Sequence, residues 1–209
     1  MSNSGTEQNE IARKLASLTA SAVSDASEGR GVLAPGLARF SGSGTVAGRA
    51  VTADCAEGSL MAVFAALDQA QPGDVLCITA PGPSAYLGDL LAADIVNRGL
   101  AAAVIDGLIR DKDEIASLPV SIFARGTTPA ARRGSAAGRS MVPITIGEVQ
   151  VNPGDWIVAD SDGVVAIAPE QVEAVLKQAD ENARVEERIM ARIKAGAKVM
   201  DAVKQELGR

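Results

Sequence analysis

The residues best suited to chemistry are Gly88-Asp89-Leu90-Leu91, the pair Arg110-Asp111, and Glu114. Carboxylates can hold a hard cation or take up a proton, and a guanidinium can hold an oxyanion. Backbone N–H groups that follow a glycine at the start of a helix can hold an anion. These groups make a site only if the chain brings them together, and the segments around them predict that it does. Val75-Leu76-Cys77-Ile78-Thr79-Ala80 is an apolar run of the length of a buried strand, and Pro81-Gly82-Pro83-Ser84 is rich in turn formers. Residues 89–98 carry a helical pattern that Gly99 ends, and residues 101–105 read as a second buried strand. The result is a strand–helix–strand unit with parallel strands. Asp89 follows the C-terminal end of the first strand and Arg110-Asp111 the C-terminal end of the second. In a parallel pair those ends share one edge of the sheet, where open α/β folds bind ligands.

Each residue also has a plainer reading. Asp89 can simply cap its helix, Arg110 and Asp111 can be a solvated pair, and Glu114 can be an exposed side chain. Their joint placement on one rim favours a site over three unrelated surface features.

The elements that must position this rim are legible in outline. Residues 8–27 read as one helix with Ile11, Leu15, Leu18, Ala22 and Val23 on a stripe, followed by a glycine-rich loop over residues 31–43. Residues 46–53 read as a strand and 59–69 as a helix that is apolar at Leu60, Val63, Phe64 and Leu67. Residues 120–124 continue the sheet. They lead into a loop with Arg132, Arg133 and Arg139, which is either solvated or turned towards an acidic substrate tail. Residues 143–151 and 155–168 read as strands, with turns at Pro153-Gly154-Asp155 and Asp162-Gly163. Pro-Gly-Asp also occurs at residues 72–74, as repeated turn chemistry rather than an internal repeat. From residue 170 the chain is helical and heavily charged, with a break at Gly196. The expected organisation is an α/β domain over residues 1–169 and a helical tail over 170–209.

Composition narrows the function. Of the 209 residues 47% are hydrophobic but only 2% aromatic, so the core is built of Ala, Val, Leu and Ile. A net charge of −6 argues against nucleic acid as the main partner. No run of 18 apolar residues predicts a membrane span, and the first residues lack the basic and apolar regions of a signal peptide. Cys55 and Cys77 lie in apolar surroundings and read as buried, reduced thiols, so the cytoplasm is the expected compartment. With no histidine, Ser-His-Asp and Cys-His catalysis and His-ligated zinc are excluded. A bound metal would have oxygen ligands, which points to magnesium or manganese.

Asp89, Arg110-Asp111 and Glu114, with their spacing, resemble the signature of class II pyruvate aldolases related to the regulator of ribonuclease E activity A. Ser24-Asp25-Ala26, Pro72-Gly73-Asp74-Val75, Val104-Ile105-Asp106-Gly107, Phe123-Ala124-Arg125-Gly126, Pro153-Gly154-Asp155 and Asp160-Ser161-Asp162-Gly163-Val164-Val165 extend the resemblance over most of the chain. These aldolases cleave 4-hydroxy-4-methyl-2-oxoglutarate or 4-carboxy-4-hydroxy-2-oxoadipate. The resemblance implies a swivelling β/β/α (RraA-like) fold with N-terminal helices and a C-terminal helical tail. It also implies a homotrimer or homohexamer with sites between subunits, a pyruvate-releasing activity on a small-molecule 2-oxo acid, and oxaloacetate decarboxylation as a side activity.

On this reading Asp111 is the principal ligand of Mg2+ (or Mn2+), and Asp89 and Glu114 help directly or through water. Backbone N–H groups around Gly88, Asp89, Leu90 and Leu91 hold the substrate carboxylate, and Arg110 stands against the C2 oxygen. A tail glutamate, best matched by Glu186, reaches a neighbouring subunit's site and with Asp89 is a candidate to steer the base. Of six lysines only Lys112 is near the rim, without apolar surroundings to lower its pKa, so a metal route is favoured over a Schiff base. The rival reading is a non-catalytic regulator that binds ribonuclease E. A methyltransferase role finds no glycine-rich cofactor loop to support it.

Overall fold

Period-two alternation of apolar side chains, buried on both faces, sets the architecture of the central sheet. The computed structural model describes residues 3–55, 60–132 and 138–208. Two N-terminal helices, α1 (Asn3–Ala16) and α2 (Ala20–Ala26), precede strands β1 (Ala38–Ser41) and β2 (Val46–Asp54). Then come α3 (Met61–Leu67), β3 (Val75–Thr79), β4 (Ala85–Leu87), α4 (Asp89–Asn97), β5 (Ala102–Ile109), α5 (Lys112–Ala116) and β6 (Ser121–Thr127). The chain continues through β7 (Arg139–Ser140), β8 (Ile144–Ile146), β9 (Val149–Val151), β10 (Trp156–Ala159) and β11 (Val164–Ile167) into helices α6 (Val172–Lys194) and α7 (Val199–Leu207). The main sheet runs β1-β6-β5-β3-β2-β10-β11, and β4 adds to β5 and β7 to β2. Its centre, β6-β5-β3-β2, is parallel, while β1 at one end and β10-β11 at the other are antiparallel.

On β3 and β5 the residues Leu76, Ile78, Ala103 and Ile105 face a cluster with Val63 and Leu67 of α3, Ala92 and Ile95 of α4 and Ile115 of α5. Their neighbours Val75, Cys77, Ala102 and Val104 face the other way, onto Ile144, Ile146 and Val151 of the β8-β9 hairpin. A third cluster seals α1, α2 and the first turns of α6 onto β10 and β11 through Leu15, Val23, Trp156, Val165, Val172 and Val175. Both cysteines are buried free thiols. Among the described residues no helix is long and apolar enough to cross a membrane.

Three expectations are corrected. The helix expected over residues 8–27 is two, because Thr19 caps α2 by accepting the Ala22 N–H at 3.1 Å while Asp160 accepts the Ala20 N–H at 2.8 Å. The glycine-rich loop over 31–43 contains β1, an edge strand on β6. Residues 143–151 form a hairpin, β8-β9, reversed at Gly147, whose φ of 61° suits glycine. Of the apolar residues of α3, Phe64 is 45% exposed, because Ala62, Val63, Ala66 and Leu67 fill the inner face.

Candidate functional site

The rim predicted at the C-terminal ends of the parallel strands exists, and the strands build it in two steps. The first half of β5 pairs with β3, from Val75↔Ala102 to Thr79↔Asp106. Beyond Thr79 the partner changes, and β4 takes up the second half through Ala85↔Leu108 and Leu87↔Ile109. Gly107 sits at the changeover, where a Cβ would collide with the Ala80 carbonyl, so glycine lets β5 pass beneath the departing chain. The Arg110 N–H donates to the Leu87 carbonyl at 2.9 Å, which fixes the exit of β5 beside the exit of β4.

Gly88, the N-cap of α4, and Arg110-Asp111 are therefore packed against one another. A Cβ on Gly88 would lie 2.5 Å from Asp111 Oδ2 and 2.9 Å from Arg110 Nε, so this contact needs glycine for space, its φ of −135° being open to any residue. Asp111 is held in the left-handed region at φ 57°, ψ 46°. Its Oδ2 accepts the Asp89 N–H at 3.2 Å and pairs with Arg110 Nε at 3.2 Å. Asp89 is the first residue of α4, and its Oδ1 accepts the Leu90 N–H at 2.8 Å. The Asp89 and Leu90 N–H groups, two of the four expected to face an anion, are thus taken by carboxylates of the site itself. Gly88, Asp89, Leu90, Leu91 and Arg110 line a pocket of about 130 Å³, with Asp111 behind them rather than in its wall; Tyr86 and Arg132 also border it. Burial pushes the Tyr86 phenol up, against the opposing pull of the Arg132 charge, and its O–H donates to the Pro81 carbonyl at 3.1 Å.

Glu114 and Glu186 stand apart. Glu114 is exposed on α5, and Glu186 is exposed on α6, so neither lines this pocket within one chain. Among the described residues no group of three or more Asp, Glu or Cys side chains is gathered to hold a metal. The smaller set nonetheless suits a hard divalent cation. Among the described residues the contacts of Asp111 and Asp89 fall on Oδ2 and Oδ1 respectively, which leaves one oxygen of each carboxylate for a cation, and magnesium needs only one or two carboxylates when waters complete its shell. Lys112 is exposed on α5.

Asp106, Arg125 and the two Pro-Gly-Asp turns do structural duty. Asp106 Oδ1 pairs with Arg125 Nε at 2.7 Å, and Oδ2 accepts the Gly147 N–H at 2.9 Å. Arg125 in turn donates to the Ala34 and Pro35 carbonyls at 3.1 and 2.6 Å. This network ties β5 and β6 to the hairpin, on the sheet face away from the helices. In both Pro-Gly-Asp turns the carboxylate accepts a backbone N–H three residues back, from Gln71 to Asp74 and from Asn152 to Asp155. Of the three loop arginines, Arg139 pairs with Asp54 at 2.6 Å, Arg133 lies outside the described residues, and Arg132 lines the pocket. Tyr86 had no sequence signal as a site residue, because its strand is three residues long.

A family model described as RraA-like: Aldolase/RraA matches residues 20–166. A protein of Halalkalibacterium halodurans named "Putative 4-hydroxy-4-methyl-2-oxoglutarate aldolase" is 39% identical over 179 residues, covering 81% of this chain and 85% of that one. Among solved structures, a protein from Pseudomonas syringae pv. tomato superposes with a TM-score of 0.81 over 94% of both chains; at 23% identity it speaks to the fold alone. Streptomyces coelicolor RraAS2, described as an unusual member of the RNase ES inhibitor RraA protein family, is 29% identical. It superposes with a TM-score of 0.76, covering 88% of this chain and 98% of that one.

Proposed function

Since this chain belongs to the RraA-like family, we propose that it is a divalent-metal-dependent, class II aldolase. It cleaves a 4-hydroxy-2-oxo dicarboxylic or tricarboxylic acid to pyruvate and a second oxo acid. The observation that carries this reading is the packing of Gly88 against both Arg110 and Asp111, which puts a guanidinium and an open carboxylate beside the start of α4. The aldolase names of the relatives support it.

Cleavage requires removal of the C4 hydroxyl proton, rupture of C3–C4, and passage of that electron pair through C2–C3 onto the C2 oxygen. The resulting pyruvate enolate then takes a proton at C3. A magnesium or manganese ion held by Asp111, with Asp89 directly or through water, would act as a Lewis acid towards the C2 oxygen. Arg110 supplies a donor to that oxygen as its charge grows; such a preorganised donor is worth on the order of 100- to 1000-fold in turnover. The Leu91 N–H and the apolar walls Leu60, Leu87 and Leu90 orient the substrate carboxylate and limit water. Asp89, at the pocket edge, is placed to steer a water that takes the hydroxyl proton. Glu114 contributes through ordered water, and Glu186 enters only from a neighbouring subunit of a trimer or hexamer. Oxaloacetate decarboxylation uses the same enolate.

The test is pyruvate release from 4-hydroxy-4-methyl-2-oxoglutarate with magnesium and with excess chelator, repeated with Arg110→Ala. Metal-dependent release that falls at least 100-fold in the variant is expected; unchanged turnover would remove Arg110 from the mechanism. The likeness to RraAS2 favours a second reading, binding to a ribonuclease E partner. A pull-down against that enzyme separates the two.

A further inference from the structure

We infer that the cleft between α1 and the N-terminal ends of β2 and β3 is a second ligand site. It takes a free α-amino acid with an uncharged side chain, Arg49 holding the carboxylate and Asp74 the ammonium group. The inference is independent of the aldolase reading. Arg49 lies near the start of β2 and Asp74 directly precedes β3, whereas Gly88 and Arg110 follow the C-terminal ends of β4 and β5, at the opposite edge of the sheet.

The cleft holds about 270 Å³, twice the volume at the rim, and close to the lower bound of roughly 300 Å³ for small-molecule sites. Both Pro-Gly-Asp turns reach it, one through Gly73 and Asp74 and the other through Gly154. Gly154 makes room for the arginine, since a Cβ there would lie 2.5 Å from Arg49 Nη2. Arg49 Nε donates to the Gly154 carbonyl at 3.3 Å. Among the described residues that is its hydrogen bond, so the turn orients the guanidinium and leaves the Nη groups for a ligand. Asp74 is fixed in the same way. Its Oδ2 accepts the Gln71 N–H at 2.8 Å, which leaves Oδ1 for a ligand.

The two charges then define what fits. The Arg49 charge acts on the Asp74 carboxyl, yet among the described residues the two form no ion pair with each other. Burial lifts the Asp74 carboxyl above its usual range, against the pull of the Gln71 N–H and the Arg49 charge. An anion drawn to Arg49 meets the Asp74 carboxylate, and a cation drawn to Asp74 meets the guanidinium, so a ligand of one sign loses beside one what it gains beside the other. A dipolar ligand gains from both. The guanidinium fork suits a carboxylate bidentately, and a carboxylate oxygen accepts from an ammonium group. The carboxamides of Gln8, Asn9, Gln69 and Gln71 also line the cleft and bring no charge, while Ala12, Met141 and Trp156 add apolar surface. Such a lining suits an uncharged side chain.

The experiment is titration calorimetry of the full chain at pH 7 with L-alanine, L-glutamine and L-leucine. The tightest binder is then compared with its N-acetyl derivative, which lacks the ammonium charge, and its carboxamide, which lacks the carboxylate. At least one amino acid should bind with a Kd below about 1 mM, and both derivatives at least tenfold more weakly. Arg49→Met and Asp74→Asn should each weaken binding at least tenfold with Tm lowered by no more than about 3 °C, and Arg110→Ala should bind as wild type does. Binding of none of the three amino acids, or a derivative that binds as tightly as its parent, would overturn the assignment. So would binding that is weakened in Arg110→Ala but unchanged in Arg49→Met. The comparison of derivatives uses wild-type protein, so it decides even where a variant fails to fold.

Discussion

Replacing Gly88 with alanine should disable the site while leaving the fold almost untouched. The backbone at Gly88 is extended, at φ −135° and ψ −172°, so alanine brings no dihedral strain. The new Cβ would stand 2.5 Å from Asp111 Oδ2, 2.9 Å from Arg110 Nε and 3.1 Å from Arg110 Cγ, whereas ordinary contact begins at 3.4 Å. The Asp111 carboxylate must therefore retreat by about 0.9 Å, the difference between 3.4 and 2.5 Å. Both side chains are partly exposed and can swing, so the folded state yields cheaply. Catalysis does not, because a misplacement of about 1 Å is worth roughly 100-fold in rate. We expect kcat/KM for pyruvate release to fall about 100-fold, and metal affinity measured by calorimetry to weaken with it. Loss of the glycine N-cap costs about 0.5 kcal/mol, or a drop in Tm of roughly 1–2 °C. A Gly88→Ala protein within about threefold of wild-type activity would refute the argument that this close contact organises the chemistry. So would a Tm lowered by about 10 °C, since the lost activity would then report on unfolding.

Three further outcomes follow from other parts of the molecule. Asp111→Ala and Asp111→Gly should both abolish metal-dependent release. Because residue 111 has φ 57°, the glycine variant should be the more stable by about 1 kcal/mol, roughly 3 °C in Tm, as calorimetry would show. Burial pushes the Cys55 thiol up to about 12 and the Cys77 thiol further. In native protein at pH 8 neither should react with a thiol reagent, whereas both should in denaturant. Their pKa is raised in the folded state, so this contribution is fully present below the unfolded-state value near 9 and is lost as pH rises above it. A denaturation series from pH 7 to 10 showing stability rising with pH would contradict this. Arg125→Met removes the Asp106 pair and two carbonyl contacts, and should cost about 2 kcal/mol, near 4–8 °C in Tm, with kcat changed far less than in Arg110→Ala.

What could be seen in the sequence, and what could not, divides along a physical line. Buried parallel strands advertise themselves because both faces are apolar, so Val75 to Thr79 and the strand after Gly99 were plain, as was the helix between them. The position of Gly88, Asp89, Arg110 and Asp111 on one rim follows from that unit alone. The Gly88–Asp111 contact does not, because it depends on β4, whose three residues carry no periodicity and which gains its place only by pairing with the overhang of β5. Arg132 was visible as one of three arginines in a loop, but its place at the pocket comes from the bridge between Ala131 and Ala85. The same holds for Thr19, whose hydroxyl breaks an amphipathic stripe that runs through it without a gap. Local pattern reads the elements that bury themselves; short strands and caps take their meaning from partners distant in the chain. The groups proposed here to hold the substrate are seated by β4, so the finest part of the site lies where a single sequence says least.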